Sequence, residues 1–248
     1  MTERLKQILV VIATLGVIFV NWQATSGKIG NVTTGEISDK YPTFITPSGY
    51  AFAIWSLIYF GLILFSIYQV FPAQKENPRF KRIRTAYILS CAANCSWLYA
   101  WHYEMMSVSL LLIFVLLGSL AFINVNLQNT ESTAEAFLAR VPFNLYFGWV
   151  TVATIINFTI TLLFFGIRTS DSVTTILACL LIVVATVLGG IIRFKLNAAA
   201  YALAIAWALT AIAVKQSGKT AIVVVCAFAV IALLIVFLTP FLRLTESR

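Results

Sequence analysis

The sequence predicts an all-α protein, a polytopic membrane bundle of about eight transmembrane helices. Of its 248 residues, 60% are hydrophobic and only 10% are charged, which is too apolar for a soluble domain of this length. A helix needs about 20 mostly apolar residues to cross a bilayer. Eight windows of roughly that length, almost free of charge, occur along the chain.

Each of the eight windows is defined by its first and last residue. In chain order they are Leu5 to Ala24, Tyr50 to Phe71, Thr85 to Tyr103, Met105 to Leu127, Val141 to Gly166, Ser172 to Ile192, Ala198 to Val214 and Thr220 to Leu242. The first follows a basic leader, but Trp22-Gln23-Ala24 lacks the small-x-small cleavage pattern of a signal peptide, which favours a retained helix. The second begins after the turn-forming Thr46-Pro47-Ser48-Gly49, and the third follows the basic cluster between Lys75 and Arg84.

The later windows differ in character. The seventh is short and Ala-rich, and its small-residue strip permits close helix contact; the strip consists of Ala200, Ala204, Ala208 and Ala211. The eighth has no polar face and is expected to meet lipid. Because the seventh window is short and the first carries Asn21 near its end, seven spans is the alternative count.

Positive charge predicts the orientation, because Lys and Arg near helix ends stay on the cytoplasmic side. With both termini inside, that side holds Arg4, Lys6, Lys75, Arg79, Lys81, Arg82, Arg84, Arg140, Arg193, Lys195, Arg243 and Arg248, and the far side holds Lys28, Lys40, Arg168, Lys215 and Lys219. This asymmetry favours an even number of spans with both termini cytoplasmic. The expected location is a bacterial inner membrane. The net charge of +8 then matches anionic lipid headgroups and requires no nucleic acid.

The windows lack the residues that several membrane functions need. No carboxylate or lysine lies mid-window, which disfavours a retinal protein and most proton-coupled transporters. His102 is the only histidine, so no His-based metal site and no acid–base signature is predicted. The sequence therefore predicts no catalytic residues and no metal site, and His102 is expected to anchor its helix at the interface beside Trp101.

The windows are rich in tryptophan. Trp22 and Trp101 suit the aromatic belt at the membrane interface. Four others lie several residues inside their helices and should face the bundle or a cavity, since each indole N–H wants an acceptor; these are Trp55, Trp97, Trp149 and Trp207.

Polar residues accompany these tryptophans at helical spacing. Asn94, Trp97 and Trp101 form one stripe, while Trp149 and Asn157 share a broad face, and Trp55 and Tyr59 are i, i+4. Such residues can supply interhelical hydrogen bonds and packing or line a ligand pocket. Spacing alone leaves both interpretations open.

Three motifs resemble the TspO/translocator protein family, the tryptophan-rich sensory proteins. A Pro47-led loop enters a helix with Trp55-x3-Tyr59, Asn94-x-x-Trp97 resembles the third-helix motif, and Trp149-x7-Asn157 has the fifth-helix spacing. The segments SDKYPTFITPSGYAFAIW and VPFNLYFGWVTVATIIN look closer to a longer branch with extra C-terminal helices. The resemblance predicts a five-helix ligand-binding bundle over residues 1–166 and three additional helices over residues 167–248.

The resemblance implies a pocket closed by the loop before the second helix that binds a porphyrin, haem or protoporphyrin. The ligand-binding residues it implies are Pro47, Tyr50, Trp55, Tyr59, Asn94, Trp97, Trp149 and Asn157. The chain departs from the family pattern at Gly49, Ala53 and Pro142. No axial haem ligand is placed there, so a free porphyrin is the expected ligand, with no obligatory cofactor.

The predicted function is therefore that of a sensor, regulator or carrier for a small hydrophobic ligand, with membrane lipid as a partner and a homodimer as a possible assembly. Two alternatives remain from the sequence. A secondary transporter would need broken helices, for which Gly189-Gly190 is the one late candidate. A porphyrin-modifying enzyme would act without any acid–base or metal signature.

Overall fold

In the computed structural model the chain folds into helices joined by turns and loops, with backbone described for residues 2–245 and side chains for residues 2–239. Nine α-helices are long enough to label: α1 Glu3–Thr25, α2 Thr34–Lys40, α3 Ile54–Val70, α4 Pro78–His102, α5 Met106–Leu127, α6 Val141–Phe164, α7 Asp171–Lys195, α8 Ala199–Lys215 and α9 Thr220–Thr245. Except for the short α2, these helices correspond to the eight predicted windows. A 3-10 turn, Gly49–Ala53, leads into α3, and a π-helical turn, Ala136–Arg140, leads into α6.

Most of these helices can cross a membrane. Within residues 2–245, six spans are long and apolar enough: Glu3–Thr25, Gly49–Val70, Met106–Leu127, Thr133–Phe164, Asp171–Lys195 and Thr220–Thr239. The shorter α8 is also apolar, and α4 carries its basic residues in its first two turns. The polytopic helical bundle predicted from composition is confirmed.

Local sequence sets several helix starts. The Thr2 hydroxyl accepts from Leu5 N at 3.3 Å at the start of α1, and Ser170 caps α7 in the same way. Thr33 and Glu36 form a reciprocal capping box on α2, which satisfies two N–H groups that the helix cannot satisfy itself. The α2 helix, which no apolar periodicity indicates, is thus specified by its cap.

The first five spans pack in a ring, in which α1 contacts α3 and α4, α4 contacts α5, and α6 contacts α3 and α5. The last three spans join this ring through α8, which packs on α6, while α9 packs on α7 and α8. The predicted small-residue strip of α8 is buried. Helix α7 runs through Gly189-Gly190 without a break, so the hint of a discontinuous helix is wrong.

Close approach between helices depends on glycine at Gly148. A Cβ built on Gly148 would lie 2.5 Å from the carbonyl oxygen of Tyr201 and 2.8 Å from the Cβ of Ala204. The Tyr201 hydroxyl lies 3.0 Å from the Thr151 hydroxyl, one turn further along α6. Helix α8 therefore packs directly against the backbone of α6.

Arg84 is fully buried near the start of α4. Its guanidinium donates to Glu3 Oε2 at 2.8 Å, to the carbonyl oxygens of Gln74 and Lys75 at 2.7 and 3.0 Å, and to Gln69 Oε1 at 3.2 Å. The sequence grouped Arg84 with a basic cluster facing lipid headgroups, which is wrong for this residue. It instead ties α1, α3 and the α3–α4 loop together.

Candidate functional site

A small cavity lies between α3, α4 and α6, beneath the chain that joins α1 to α3. It encloses about 30 Å³, which is room for one or two water molecules. Its lining is mainly aromatic and apolar: Thr34, Ser38, Pro47, Phe52, Trp55, Trp97, Trp101, Trp149, Ala153, Ile156 and Asn157. Five of the eight sequence-predicted site residues are in this set.

Aromatic rings from three spans meet around Trp55. Its indole stacks on Tyr59 with ring centroids 5.4 Å apart. Its ring centroid lies 6.4 Å from that of Trp97 of α4. It lies 6.2 Å from that of Trp149 of α6, and these two rings are nearly perpendicular. Trp97 stacks in turn on Trp101 at 6.1 Å. The mid-helix tryptophans of the second, third and fifth spans thus form one cluster around the cavity.

Several polar atoms of the lining have no partner although they are buried. They are the indole nitrogens of Trp97 and Trp149, the amide oxygen of Asn157 and the hydroxyl of Ser38. The Asn157 amide nitrogen is satisfied, because it donates to Ser109 Oγ at 2.9 Å. Buried polar groups are nearly always hydrogen-bonded, so these atoms can offer an occupant two donors, one acceptor and one hydroxyl that can act as either.

The other three predicted site residues lie beside the cavity and do not line it. Asn94 accepts from Asn21 Nδ2 at 2.8 Å and donates to the Tyr146 hydroxyl at 2.9 Å, which joins α1, α4 and α6 beneath the aromatic cluster. Tyr59 stacks behind Trp55. Tyr50 is 45% exposed and packs edge-on against Trp207 at 5.5 Å.

The chain between α1 and α3, residues 26–48, covers the cavity, and we call it the lid. The Trp101 indole donates to the carbonyl oxygen of Thr34 at 3.2 Å. Glu104, in the turn between α4 and α5, pairs with Lys40 at 2.5 Å and accepts from the Tyr41 hydroxyl. The α4–α5 turn therefore holds one side of the lid.

Helix α8 holds the other side of the lid and the 3-10 turn that follows it. Ser48 N donates to the carbonyl oxygen of Ala211 at 3.0 Å, and Gln216 Nε2 donates to that of Thr43 at 3.1 Å. The Trp207 indole donates to the carbonyl oxygen of Ala51 at 3.0 Å. A helix from the C-terminal three thus fastens the cover of a cavity built by the first five.

Three expectations about aromatic and histidine positions can be compared with the structure. Trp22 is 50% exposed, as expected for the interfacial belt. Trp101 and His102 are buried, because the lid folds over the end of α4, so their interfacial assignment is wrong. Trp207 finds an acceptor for its N–H, but its ring is 40% exposed and does not face the interior.

Besides Ala153 and Ile156 of α6, sequence reasoning missed four lining residues, which are Trp101, Phe52, Thr34 and Ser38. Trp101 follows Trp97 by one turn, and that spacing is a signal for a shared face. The other three come from the lid and the 3-10 turn, whose contact with the bundle no local pattern indicates. Within the described residues no three His, Cys, Asp or Glu side chains come together to hold a metal ion.

Protonation of Glu104 is expected to release the lid only in acid. Hydrogen bonds from Lys40 and Tyr41 hold the pKa of Glu104 below its ordinary value, so its contribution is complete above pH ~4.3 and is lost as pH falls through the lowered pKa. Hydrogen exchange of residues 26–48, corrected for intrinsic rates, should therefore be constant from about pH 7 to 8, where His102 beneath the lid is also neutral.

The variant Glu104→Gln should exchange faster in the lid than the unmodified protein at neutral pH, and this difference should vanish in acid. Glu76→Gln is the control, because Glu76 pairs with Lys81 at 2.9 Å at the other end of the bundle, away from the lid. Equal lid exchange in both variants at pH 7 would rule out the role of Glu104.

The family model described as TSPO-like protein matches residues 7–239, a range that includes α7, α8 and most of α9 as well as the first five spans. No curated protein and no solved structure matches the chain. Because the match covers nearly the whole sequence, the chain belongs to the family of TSPO-like proteins.

Proposed function

We propose that this membrane protein binds a flat hydrophobic ligand, a tetrapyrrole such as protoporphyrin, between α3, α4 and α6. The observation that carries the proposal is the convergence of Trp55, Trp97 and Trp149, from three different spans, on one cavity. Indole rings offer flat apolar surfaces for stacking. The unpaired N–H groups of Trp97 and Trp149 would suit carbonyl or carboxylate groups at the ligand edge.

The cavity must enlarge before it can take such a ligand. Pockets for ligands of this class usually enclose about 300–1,000 Å³, against about 30 Å³ here. Lid residues Thr34, Ser38 and Pro47 form part of the wall together with Phe52. We propose that the cavity opens by movement of the lid, because this movement leaves the packing of the spans in place.

A free porphyrin fits the lining better than an iron-coordinated haem. None of the lining residues is His, Cys, Met or Tyr, and these are the side chains that supply axial ligands to haem iron. Binding would rest on stacking, on the four unpaired polar atoms of the lining and on closure of the lid. The same lining offers no carboxylate or imidazole for acid–base chemistry, so we propose a sensor, regulator or carrier in place of an enzyme.

Protoporphyrin is expected to quench the tryptophan fluorescence of the purified protein. Trp55→Phe or Trp97→Phe should weaken this binding by about 1 kcal/mol, about fivefold in Kd, because each removes aromatic contact with the ligand. Trp22→Phe is the matched control, since Trp22 is exposed on α1 away from the cavity. Equal losses in all three variants would show nonspecific partition into detergent and sink the proposal.

We also propose that the protein lies in a bacterial inner membrane with both termini on the cytoplasmic side. Eight alternating spans would bring the start of α1 and the end of α9 to one side, and the basic residues concentrate at that end of the bundle. Of the residues in that charge count, Arg243 and Arg248 lie outside the described side chains. Reporters fused before Thr2 and after Arg248 should both report the cytoplasm, and opposite locations would contradict the count of eight.

A further inference from the structure

A second cavity lies at the end of the bundle that carries the lid, between the end of α6 and the start of α7. It encloses about 280 Å³, against about 30 Å³ for the cavity between the tryptophans. Pockets that hold small ligands begin at about 300 Å³. Residues 42–45 of the lid form one wall, and the last turns of α6, the α6–α7 loop and the first three turns of α7 form the others. Separate segments of the chain therefore enclose this space.

The deep part of this cavity is apolar. Ile45 and Ala178 are 3% and 4% exposed, and both line the cavity together with Leu181. Leu181 lies about 15 Å along α7 from Asp171, which stands at the mouth. Ile45 and Leu181 also line a much smaller void that reaches Ile156 in the wall of the aromatic cavity. Side chains of the lid, α6 and α7 thus stand between the two cavities.

The mouth of the cavity is polar and positively charged. Arg168, in the α6–α7 loop, is exposed and has no ion pair or side-chain hydrogen bond among the described residues. The one carboxylate of the lining, that of Asp171, is paired with Lys219 at 3.2 Å. The Lys219 ammonium also lies 3.7 Å from the ring centroid of Phe44 in the lid wall. Of these three charged groups, the one left without a counter-ion is the Arg168 guanidinium.

The hydroxyl groups of the lining already have partners within the chain. Those of Thr169 and Thr174 lie 2.8 Å apart. Those of Thr43 and Thr159 bond to neighbouring residues. The free hydrogen-bonding capacity at the mouth is therefore concentrated on Arg168, which can only donate and which favours an anion.

From this geometry we propose that the cavity binds an amphiphilic carboxylate of the medium-chain fatty acid class. The hydrocarbon chain lies between α6 and α7, where burial of methylene groups against Ala178 and Leu181 is favourable. The carboxylate lies on Arg168, because a guanidinium binds a carboxylate through two parallel hydrogen bonds. A volume of about 280 Å³ suits one short chain, since pockets for larger ligands enclose up to about 1,000 Å³. The site does not depend on the ligand proposed for the aromatic cavity.

The site is tested by photolabelling the full chain in phosphatidylcholine vesicles with a decanoate that carries a diazirine on its chain. Crosslinked residues are mapped by mass spectrometry, and we expect them within residues 42–45 and 159–181. Competition by unlabelled decanoate gives an apparent Kd. Decanol has the same chain without the charge, so at equal mole fraction in the bilayer it should compete about fivefold more weakly.

Arg168→Gln should weaken competition by decanoate about fivefold, the upper range for an ion pair at an exposed position, and should leave competition by decanol unchanged. Arg168→Lys should recover part of the loss, because it keeps the charge without the planar fork. Lys28→Gln is the matched control and should bind decanoate normally. Lys28 is an exposed cation at the same end of the bundle, but its ammonium lies 3.9 Å from the ring centroid of Trp22, outside the cavity.

Ala178→Leu adds volume to the wall of the cavity and should lower labelling by the photoreactive decanoate. Arg168→Gln carries the test by itself if Ala178→Leu does not fold, since Arg168 is exposed. If decanol competes as well as decanoate, or if Lys28→Gln loses as much affinity as Arg168→Gln, the proposal is overturned. Labels found only outside residues 42–45 and 159–181 would show partition into the bilayer and would overturn it as well.

Discussion

Replacing Arg84 with methionine is expected to destabilise the protein by about 3 kcal/mol. The guanidinium is fully buried and donates to four acceptors, two of which are the carbonyl oxygens of Gln74 and Lys75. Methionine fills similar space but leaves these acceptors and the Glu3 carboxylate without their donor. The loss should appear as a lower thermal midpoint and a lower midpoint in denaturing detergent.

Two companion variants separate charge from hydrogen bonding. Arg84→Lys keeps the positive charge but lacks the planar fork, so it should recover only part of the loss. Arg82→Met removes an exposed arginine two residues away and should change the stability by less than about 0.5 kcal/mol. If Arg84→Met and Arg82→Met were equally stable, the buried network would not contribute to the fold.

The membrane fold was predictable because hydropathy is a local property. Each span needs only a continuous apolar run, and the eight windows reappear as helices. The mid-helix positions of Trp55, Trp97 and Trp149 also predicted an inward direction, since an indole N–H has no acceptor in lipid. These three residues meet at one cavity.

The cover of the cavity was not predictable in the same way. Trp101 and His102 stand where an interfacial anchor would stand, and only the folded lid explains why both are buried. The contacts of Ser48 with Ala211 and of Ala51 with Trp207 join residues more than 150 positions apart. Arg84 was misassigned for a related reason, because its acceptors come from α1, from Gln69 of α3 and from two loop carbonyls.

The hydrogen bonds from α8 to the lid and to the 3-10 turn connect the last three helices to the candidate site. Helix α6 carries Trp149 and Asn157 on one face and contacts α8 through Gly148 on another. Any shift of α8 against α6 would move Trp207 and Ala211, which bond the lid and its 3-10 turn. The packing of these two helices is therefore expected to set how readily the cavity opens.

Gly148→Ala is the change that should expose this coupling. The added methyl group would lie 2.5 Å from the carbonyl oxygen of Tyr201, and backbone cannot give way as a flexible side chain can. We expect a loss of about 1–3 kcal/mol, measured as a lower thermal midpoint. We also expect faster hydrogen exchange in residues 26–48, because α8 must move outward and its hydrogen bonds to Ser48 and Thr43 must lengthen.

Gly118→Ala is the matched control, since Gly118 also lies inside a helix but nothing stands within 4 Å of the Cβ it would gain. Alanine is the better helix former by about 0.5–1 kcal/mol, so this variant should be as stable as the unmodified protein or more so, with unchanged lid exchange. If Gly148→Ala lost stability without faster lid exchange, the packing of α8 on α6 would not control the lid. Equal stability of the two variants would contradict the close approach of α6 and α8 itself.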